Sequence, residues 1–323
     1  MRAPTGDQYE LTSTTPWGDA RATITQVAAG IRAYSVGGTD LTEPFDAGST
    51  PPSGCGIVLV PWPNRVKDAA WWLRDEAGDV VEQRLAVTEP ARGNAIHGLL
   101  RYTAYRPLEQ TADSVVLAAT VYPQLGYPFL LDTRVEHRLT PDGLVVTHTI
   151  TNVGTMDAPV AVGAHPYLKI GGVDTASLVL RVDATTHFEA DERGNVVAEH
   201  PVEGTPFDLR GGIRVSELTL DDGFGGVEHT AVVNTAGEVT DARAEHTLTA
   251  DDGRAVALWM DERFGFTQVF THRSFATLPK GGVAVAIEPM TAPANALNTG
   301  QGLQWLSPGQ TFTATWGIEP RLG

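Results

Sequence analysis

The chain has 323 residues, with 39 acidic against 23 basic side chains and a net charge of −16. That balance repels phosphate backbones, so nucleic acid is not an expected partner, whereas a neutral ligand such as a sugar is unaffected. With 42% hydrophobic and 19% charged residues the chain can bury a sizeable core and is not disordered by composition.

Cys55 is the single cysteine, so no intramolecular disulfide can form and nothing points to an oxidising compartment. Residues 1–20 lack the apolar run of a signal peptide, and no apolar stretch approaches the ~20 residues a membrane span needs. A cytoplasmic protein without a membrane partner is expected, with its oligomeric state open between monomer and dimer.

Taken in order, the chain reads as short alternating segments broken by Gly, Pro, Asp and Asn. Strands are expected at 9–14, 20–27 and 30–36, and residues 54–60 read as a continuous apolar strand running into Pro61-Trp62-Pro63-Asn64-Arg65. A hairpin is expected over 132–152. Val135, His137 and Leu139 share one face, Pro141-Asp142-Gly143 turns, and Leu144, Val146, His148 and Ile150 share the next. A second hairpin turns at Asp251-Asp252-Gly253 within 245–259. Further strands are expected at 230–233, 267–271, 283–288 and 310–318. No stretch shows sustained helical spacing, and no fixed-period repeat suggests a propeller. The expected fold is all-β, one domain over 1–323, a large antiparallel sandwich or barrel.

Five polar stretches sit at strand ends or beside Gly and Pro. Asn64-Arg65 follows a buried strand and can fork hydrogen bonds onto hydroxyls or a carboxylate, though a structural ion pair is the commoner role of such an Arg. His97-Gly98 pairs an imidazole with a residue that permits close approach. Gly163-Ala164-His165-Pro166-Tyr167 mounts a histidine on stiff, extended chain, since proline fixes its own φ and restricts its predecessor. Asp221-Asp222-Gly223-Phe224 alone is an acidic turn. Glu288 ends the apolar run Val283-Ala284-Val285-Ala286-Ile287, and a buried acid is costly without a partner. It is the least ordinary residue of the chain.

Two histidines and a glutamate invite a metal reading. The sequence has no His-x-x-x-His, no His-x-His and no second cysteine, so spacing argues against a metal, although remote ligands can converge. Neither a Gly-x-Gly-x-x-Gly fingerprint, a phosphate loop nor a Gly-x-Ser-x-Gly nucleophile elbow is present.

In this order the stretches resemble the aldose 1-epimerase (galactose mutarotase) family over roughly residues 10–320. Asn64-Arg65-Val66 is similar to its Asn-Arg-Ile, Asn94-Ala95-Ile96-His97-Gly98 to its Asn-x-Leu-His-Gly, and Gly163 to Tyr167 to its Gly-x-His-Pro-Tyr. Asp221 with Phe224 resembles an Asp-His-x-Phe element. Gln268-Val269-Phe270-Thr271 resembles Gln-x-Tyr-Thr, and Glu288-Pro289 with Leu306-Ser307-Pro308-Gly309-Gln310 resembles the closing elements. Leu99, Leu168 and Asp222 depart from the family's Gly, Phe and second His.

The resemblance implies the family's large β-sandwich and an isomerase that interconverts the α- and β-anomers of a free aldohexose. Glu288 would be the base at the C1 hydroxyl, His165 the acid, and His97 would assist at the ring oxygen or orient the sugar. Asn64, Arg65, Asp221 and Gln268 would bind hydroxyls, and no metal, nucleotide or flavin is called for. Trp62, Trp72 and Phe224 are candidates for stacking on the sugar. Arg101 and Lys169 lie near site motifs and raise the alternative of a hexose-6-phosphate 1-epimerase. A non-catalytic carbohydrate-binding protein on the same scaffold is the third reading.

Overall fold

Alternation builds this molecule. Along the hairpin Leu131–Thr140 and Gly143–Asn152, every second side chain is buried, and Val135, His137 and Leu139 face inward with Leu144, Val146, His148 and Ile150 as expected. Successive side chains of a strand point to opposite faces, so one apolar face per strand is enough to pack a layer. The turn lies at Pro141-Asp142, and Thr140 pairs with Gly143.

The computed structural model describes residues 2–74, 78–233 and 239–323. A ten-stranded sheet is assembled around that hairpin, with Thr311–Arg321, Ala255–Asp261 and Val239–Thr249 following in order on one side. An eight-stranded sheet runs in the order 196–201, 184–190, 221–227, 266–272, 284–290, 163–164 and 58–59, with 167–168 also paired to 284–290. The N-terminal strands Gln8–Thr15, Gly18–Thr25, Ile31–Val36 and Thr39–Asp40 form a third sheet, which contacts Leu131–Thr140. Among the described residues the strand ladders are antiparallel. One hydrophobic cluster joins the layers, with Val269, Val285 and Ile287 from the eight-stranded sheet and Leu258, Trp316 and Ile318 from the ten-stranded sheet. This is the expected all-β sandwich.

Two local expectations change. The apolar run 54–60 is not one strand. Residues Pro52–Gly54 form a 3-10 turn, Ser53, Gly54 and Gly56 take positive φ, and only Val58–Leu59 pairs as strand. The run is apolar because it is buried, with Ile57 3% and Leu59 0% exposed, and burial alone does not specify a strand. A single α-helix among the described residues, Ala296–Thr299, follows the last site strand. Among the described residues, no helix is long and apolar enough to cross a membrane.

Candidate active site

The outer face of the eight-stranded sheet carries the polar groups. On Ala284–Met290 the odd-numbered Val285 and Ile287 enter the core, which turns Glu288 the other way. On the neighbouring Phe266–His272, Val269 is in the core, while Gln268 and Phe270 face the same side as Glu288. Register aligns Gln268 with Glu288 and Gly223 with Gln268, so three adjacent strands bring their polar groups to one place. Gly223 matters there, since a Cβ would stand 3.2 Å from Gln268 Oε1 and 3.2 Å from the Phe188 ring.

His165 reaches the same place from the adjoining short strand. Its backbone N–H donates to Ile57 O at 3.0 Å, and its carbonyl accepts from Gly56 N at 2.8 Å. The ring stacks on Tyr167, with centroids 5.1 Å apart. Backbone bonds on both sides and a stacked aromatic give the rigid mount that the proline implied. His97 stands across from it, with ring centroids 5.4 Å apart in an edge-to-face arrangement. His97 has φ +64°, and Gly98 after it has φ +70°. A Cβ on Gly98 would lie 2.1 Å from Val60 O, so the turn that aims His97 requires glycine.

These residues surround a cavity of about 410 Å³ lined by Asn64, Arg65, His97, His165, Asp221, Gln268 and Glu288. All seven sequence-predicted site residues meet there. Asn64 also supports its own turn: its φ is +54°, and its Oδ1 accepts from Arg65 N at 2.8 Å. Asp221 bridges Gln268 and Arg65, accepting from Gln268 Nε2 at 3.0 Å and from Arg65 Nη2 at 3.4 Å. Asp222 Oδ1 instead accepts from His187 Nε2 at 2.9 Å, on a histidine stacked against Phe207.

Burial sets the protonation of the two central groups. His165 Nε2 lies 3.3 Å from Glu288 Oε1, and the two side chains are 6% and 3% exposed. Loss of solvent raises the Glu288 carboxyl well above its ordinary range, Asp221 raises it further, and the Arg65 charge partly opposes both. Loss of solvent lowers His165 to about 4 and puts His97 well below the ordinary imidazole value, with His165, Arg101 and Arg65 lowering His97 further. Both shifts favour the uncharged forms, a carboxyl on Glu288 and a neutral imidazole on His165.

Several expectations about neighbours are corrected. Lys169 Nζ pairs with buried Glu43 at 3.1 Å, and Arg101 donates to Thr88 O at 3.1 Å and lies over the exposed Tyr102 ring. Neither lines the cavity, so they do not support the phosphorylated-sugar alternative. Trp62 and Phe224 are 2% and 1% exposed in the core, and Trp72 is 56% exposed on the Ala70–Arg74 strand. The aromatic ring at the cavity is Phe270. Cys55 is buried, its thiol pushed up by burial and donating to Glu43 O, so it is packing and not a reactive group.

Sequence reasoning missed Glu89 and Arg92. Glu89 accepts from Arg65 Nε at 2.9 Å and from Nη2 at 3.1 Å, a two-pronged contact that fixes the guanidinium plane. Arg92 lines the cavity and lies 3.6 Å from both Glu89 and Asp221. The only signal was an acid and a base either side of Pro90-Ala91 just ahead of Asn94. A Cβ on Gly194 (φ +72°) would stand 2.3 Å from Arg92 Nη1 and 2.9 Å from Arg65 Nη1, so glycine there lets the 191–195 turn close over both guanidiniums.

The family model for aldose 1-epimerase matches residues 10–319. The chain belongs to the aldose 1-epimerase family. Among curated proteins it is 31% identical over 294 residues to the uncharacterized protein YihR of Escherichia coli (strain K12), covering 91% of this chain and 88% of that one. Among solved structures it resembles an aldose epimerase homologue from C. elegans, with 18% identity and TM-score 0.75 over 97% of this chain and 99% of that one. It also resembles galactose 1-epimerase from Lactobacillus acidophilus NCFM, with 17% identity and TM-score 0.72 over 99% and 97%. At these identities the structural likenesses carry the fold alone, and for this aldose 1-epimerase family member that fold is the one described above.

Proposed function

We propose that this family member is a mutarotase that interconverts the α- and β-anomers of a free aldohexose. The observation that carries the reading is the 3.3 Å contact between His165 and Glu288 at the floor of the cavity. Anomer exchange needs one proton removed from the C1 hydroxyl and one delivered to the ring oxygen. The C1–O5 bond then breaks, the C1–C2 bond rotates, and the aldehyde recloses on its other face with both protons returned.

In this reading Glu288 is the base and His165 the acid. The neutral resting pair becomes reactive when its proton crosses from Glu288 to His165, leaving a carboxylate and an imidazolium. A carboxylate of raised pKa is a strong base, and an imidazolium of lowered pKa a strong acid, so each transfer to or from the sugar is downhill relative to the ordinary side chains. Sugar hydroxyls and the Arg65 charge stabilise the carboxylate at that moment. His97, uncharged and across from His165, holds the ring-oxygen side. Arg65, Asp221 and Gln268 bind hydroxyls, and Asn64 fixes the turn that presents Arg65.

A neutral sugar fits the charge of the cavity. At its Arg65 end two guanidiniums, Arg65 and Arg92, face two carboxylates, Glu89 and Asp221, within 3.6 Å. A binding-only role does not call for Glu288, whose Oε2 is buried without a hydrogen-bond partner and costs stability. The test is polarimetry on freshly dissolved α-D-glucose and α-D-galactose with wild type beside Glu288→Gln. Wild type is expected to hasten mutarotation and the variant to lose about 10²–10⁴-fold. A wild type that leaves both sugars at their spontaneous rate overturns the free-hexose reading.

A further inference from the structure

The proposed acid and base, with His97 beside them, are also a set of metal donors. Ligand atoms of His97, His165 and Glu288 all lie within 4.8 Å of one another. Donors held ~2.0–2.2 Å from a tetrahedral Zn²⁺ stand roughly 3.4 Å apart, close to the 3.3 Å between His165 Nε2 and Glu288 Oε1. The widest pair therefore has to close by up to roughly 1.4 Å to share an ion at those bond lengths.

A second observation points to a ligand. Glu288 Oε2 and the Nδ1 atoms of both histidines are buried without a hydrogen-bond partner. His165 stays stacked on Tyr167, while the second Glu288 oxygen and both Nδ1 atoms keep their hydrogen-bonding capacity unspent. The cavity beside them leaves room for water as a fourth ligand. Two imidazoles and a carboxylate are a donor set of borderline softness, suited to Zn²⁺ rather than to Mg²⁺ or Ca²⁺.

We propose that His97, His165 and Glu288 form a binding site for a Zn²⁺-class divalent ion, which excludes the sugar by occupying its acid and base. The site is inhibitory rather than catalytic. An ion there takes up the lone pairs that ring opening uses. Its affinity is limited, because ligating histidines ordinarily give their second ring N–H to an acceptor, and loss of such partners costs about 10–100-fold. With neither Nδ1 partnered, dissociation constants on the order of 1–100 µM are expected.

The test is calorimetric titration of ZnCl₂ into the chelator-treated full chain, wild type beside His97→Gln and Glu288→Gln. Absorption of the Co²⁺-substituted protein in the visible range reports low coordination number. One saturable site with Co²⁺ bands, weakened about tenfold or more in both variants, is the expected result. No saturable binding below about millimolar, or binding equal in wild type and variants, overturns it. Equal binding would put the ion on pairs such as His200–Glu189 or His187–Asp222. Exclusion of sugar rests on the mutarotase reading and is read separately, by adding galactose to the Co²⁺ form. Loss of the bands supports the shared site, and bands that persist overturn the exclusion.

Discussion

Gln268 and Glu288 are directly opposite each other on neighbouring antiparallel strands, and that pairing organises the candidate site. Cross-strand partners have Cβ atoms only ~4.5–5.5 Å apart on one face, so the Gln268 amide and the Glu288 carboxyl are set side by side by backbone register rather than by loop conformation. Asp221 enters from the next strand, takes a bond from Gln268 and reaches Arg65. Three groups of the candidate site thus stand on paired strands, with the histidines added from short segments beside them.

The pH profile follows from the His165–Glu288 pair. Below about 4 His165 takes a second proton, the pair carries two, and no base remains. On the alkaline side the pair fails only when it loses its last proton, and burial holds that proton on Glu288 well above the ordinary carboxyl range. Initial rates by polarimetry, corrected for spontaneous mutarotation at each pH, should show an acid limb centred well below the ~6.5 of a free imidazole. An acid limb at 6.5 would show that an ordinary, solvated histidine controls the rate.

Glu89 is expected to act through Arg65. Removing one carboxylate oxygen's charge in Glu89→Gln frees the guanidinium plane that two hydrogen bonds now hold. A hydrogen bond to a charged group contributes about 1.5–3 kcal/mol, and about 1.4 kcal/mol is tenfold in an equilibrium constant. KM should therefore rise about tenfold or more while kcat changes little, because Glu89 touches no reacting atom. Equal losses in kcat and kcat/KM would place Arg65 at the transition state instead.

Much of this was legible because it is local. Period-two alternation from 131 to 152 gave both strands and the inward faces of His137 and His148. The motifs of His97, His165 and Glu288 were readable because each is followed by a Gly or Pro that marks a special backbone position. Direction was not readable. Lys169 follows Tyr167-Leu168 in sequence, yet its side chain goes to Glu43, 126 residues away. Arg92 reaches the cavity only because the 89–94 turn closes on itself, with Glu89 N and Gly93 N bonded within it. Asp221 and Asp222 are adjacent, and opposite faces of one strand send them to different partners. Register across three strands decides such questions, and it is a non-local property.

Gly98→Ala tests the turn that presents His97. Its φ of +70° strains any L-residue, and the added Cβ would meet Val60 backbone atoms at 2.1 and 2.3 Å. Gly253 is a matched control, with φ +91° and no atom within 4 Å of the added Cβ. Strain alone costs about 1–2 kcal/mol, so Gly253→Ala should lose about that much in chemical denaturation. Gly98→Ala should lose clearly more, because backbone at Val60 cannot move aside as a flexible side chain can. Equal losses would mean that the Val60 segment yields.

Acid stability is set by histidines buried without charge. His137, His148, His165 and His246 are lowered by burial to about 4, 3, 4 and 3. In the unfolded chain each titrates near ~6.5, so between about 6.5 and 4 the unfolded state binds more protons than the folded one. Stability therefore falls as pH falls through that window, by up to ~1.4 kcal/mol per pH unit for each histidine. Glu43, Asp261 and Glu288 are raised by burial and act the other way, favouring the folded state as pH falls toward the unfolded carboxyl value. Histidines outnumber these acids, so urea midpoints should drop between pH 7 and 5. His246 isolates the effect, since its Nδ1 accepts from Asp183 N at 3.1 Å and its Nε2 has no partner. His246→Gln keeps a side-chain acceptor and removes the titration. It should be less stable than wild type at pH 7 and should lose less on acidification, and an unchanged slope would mean that His246 does not carry its share of the proton uptake.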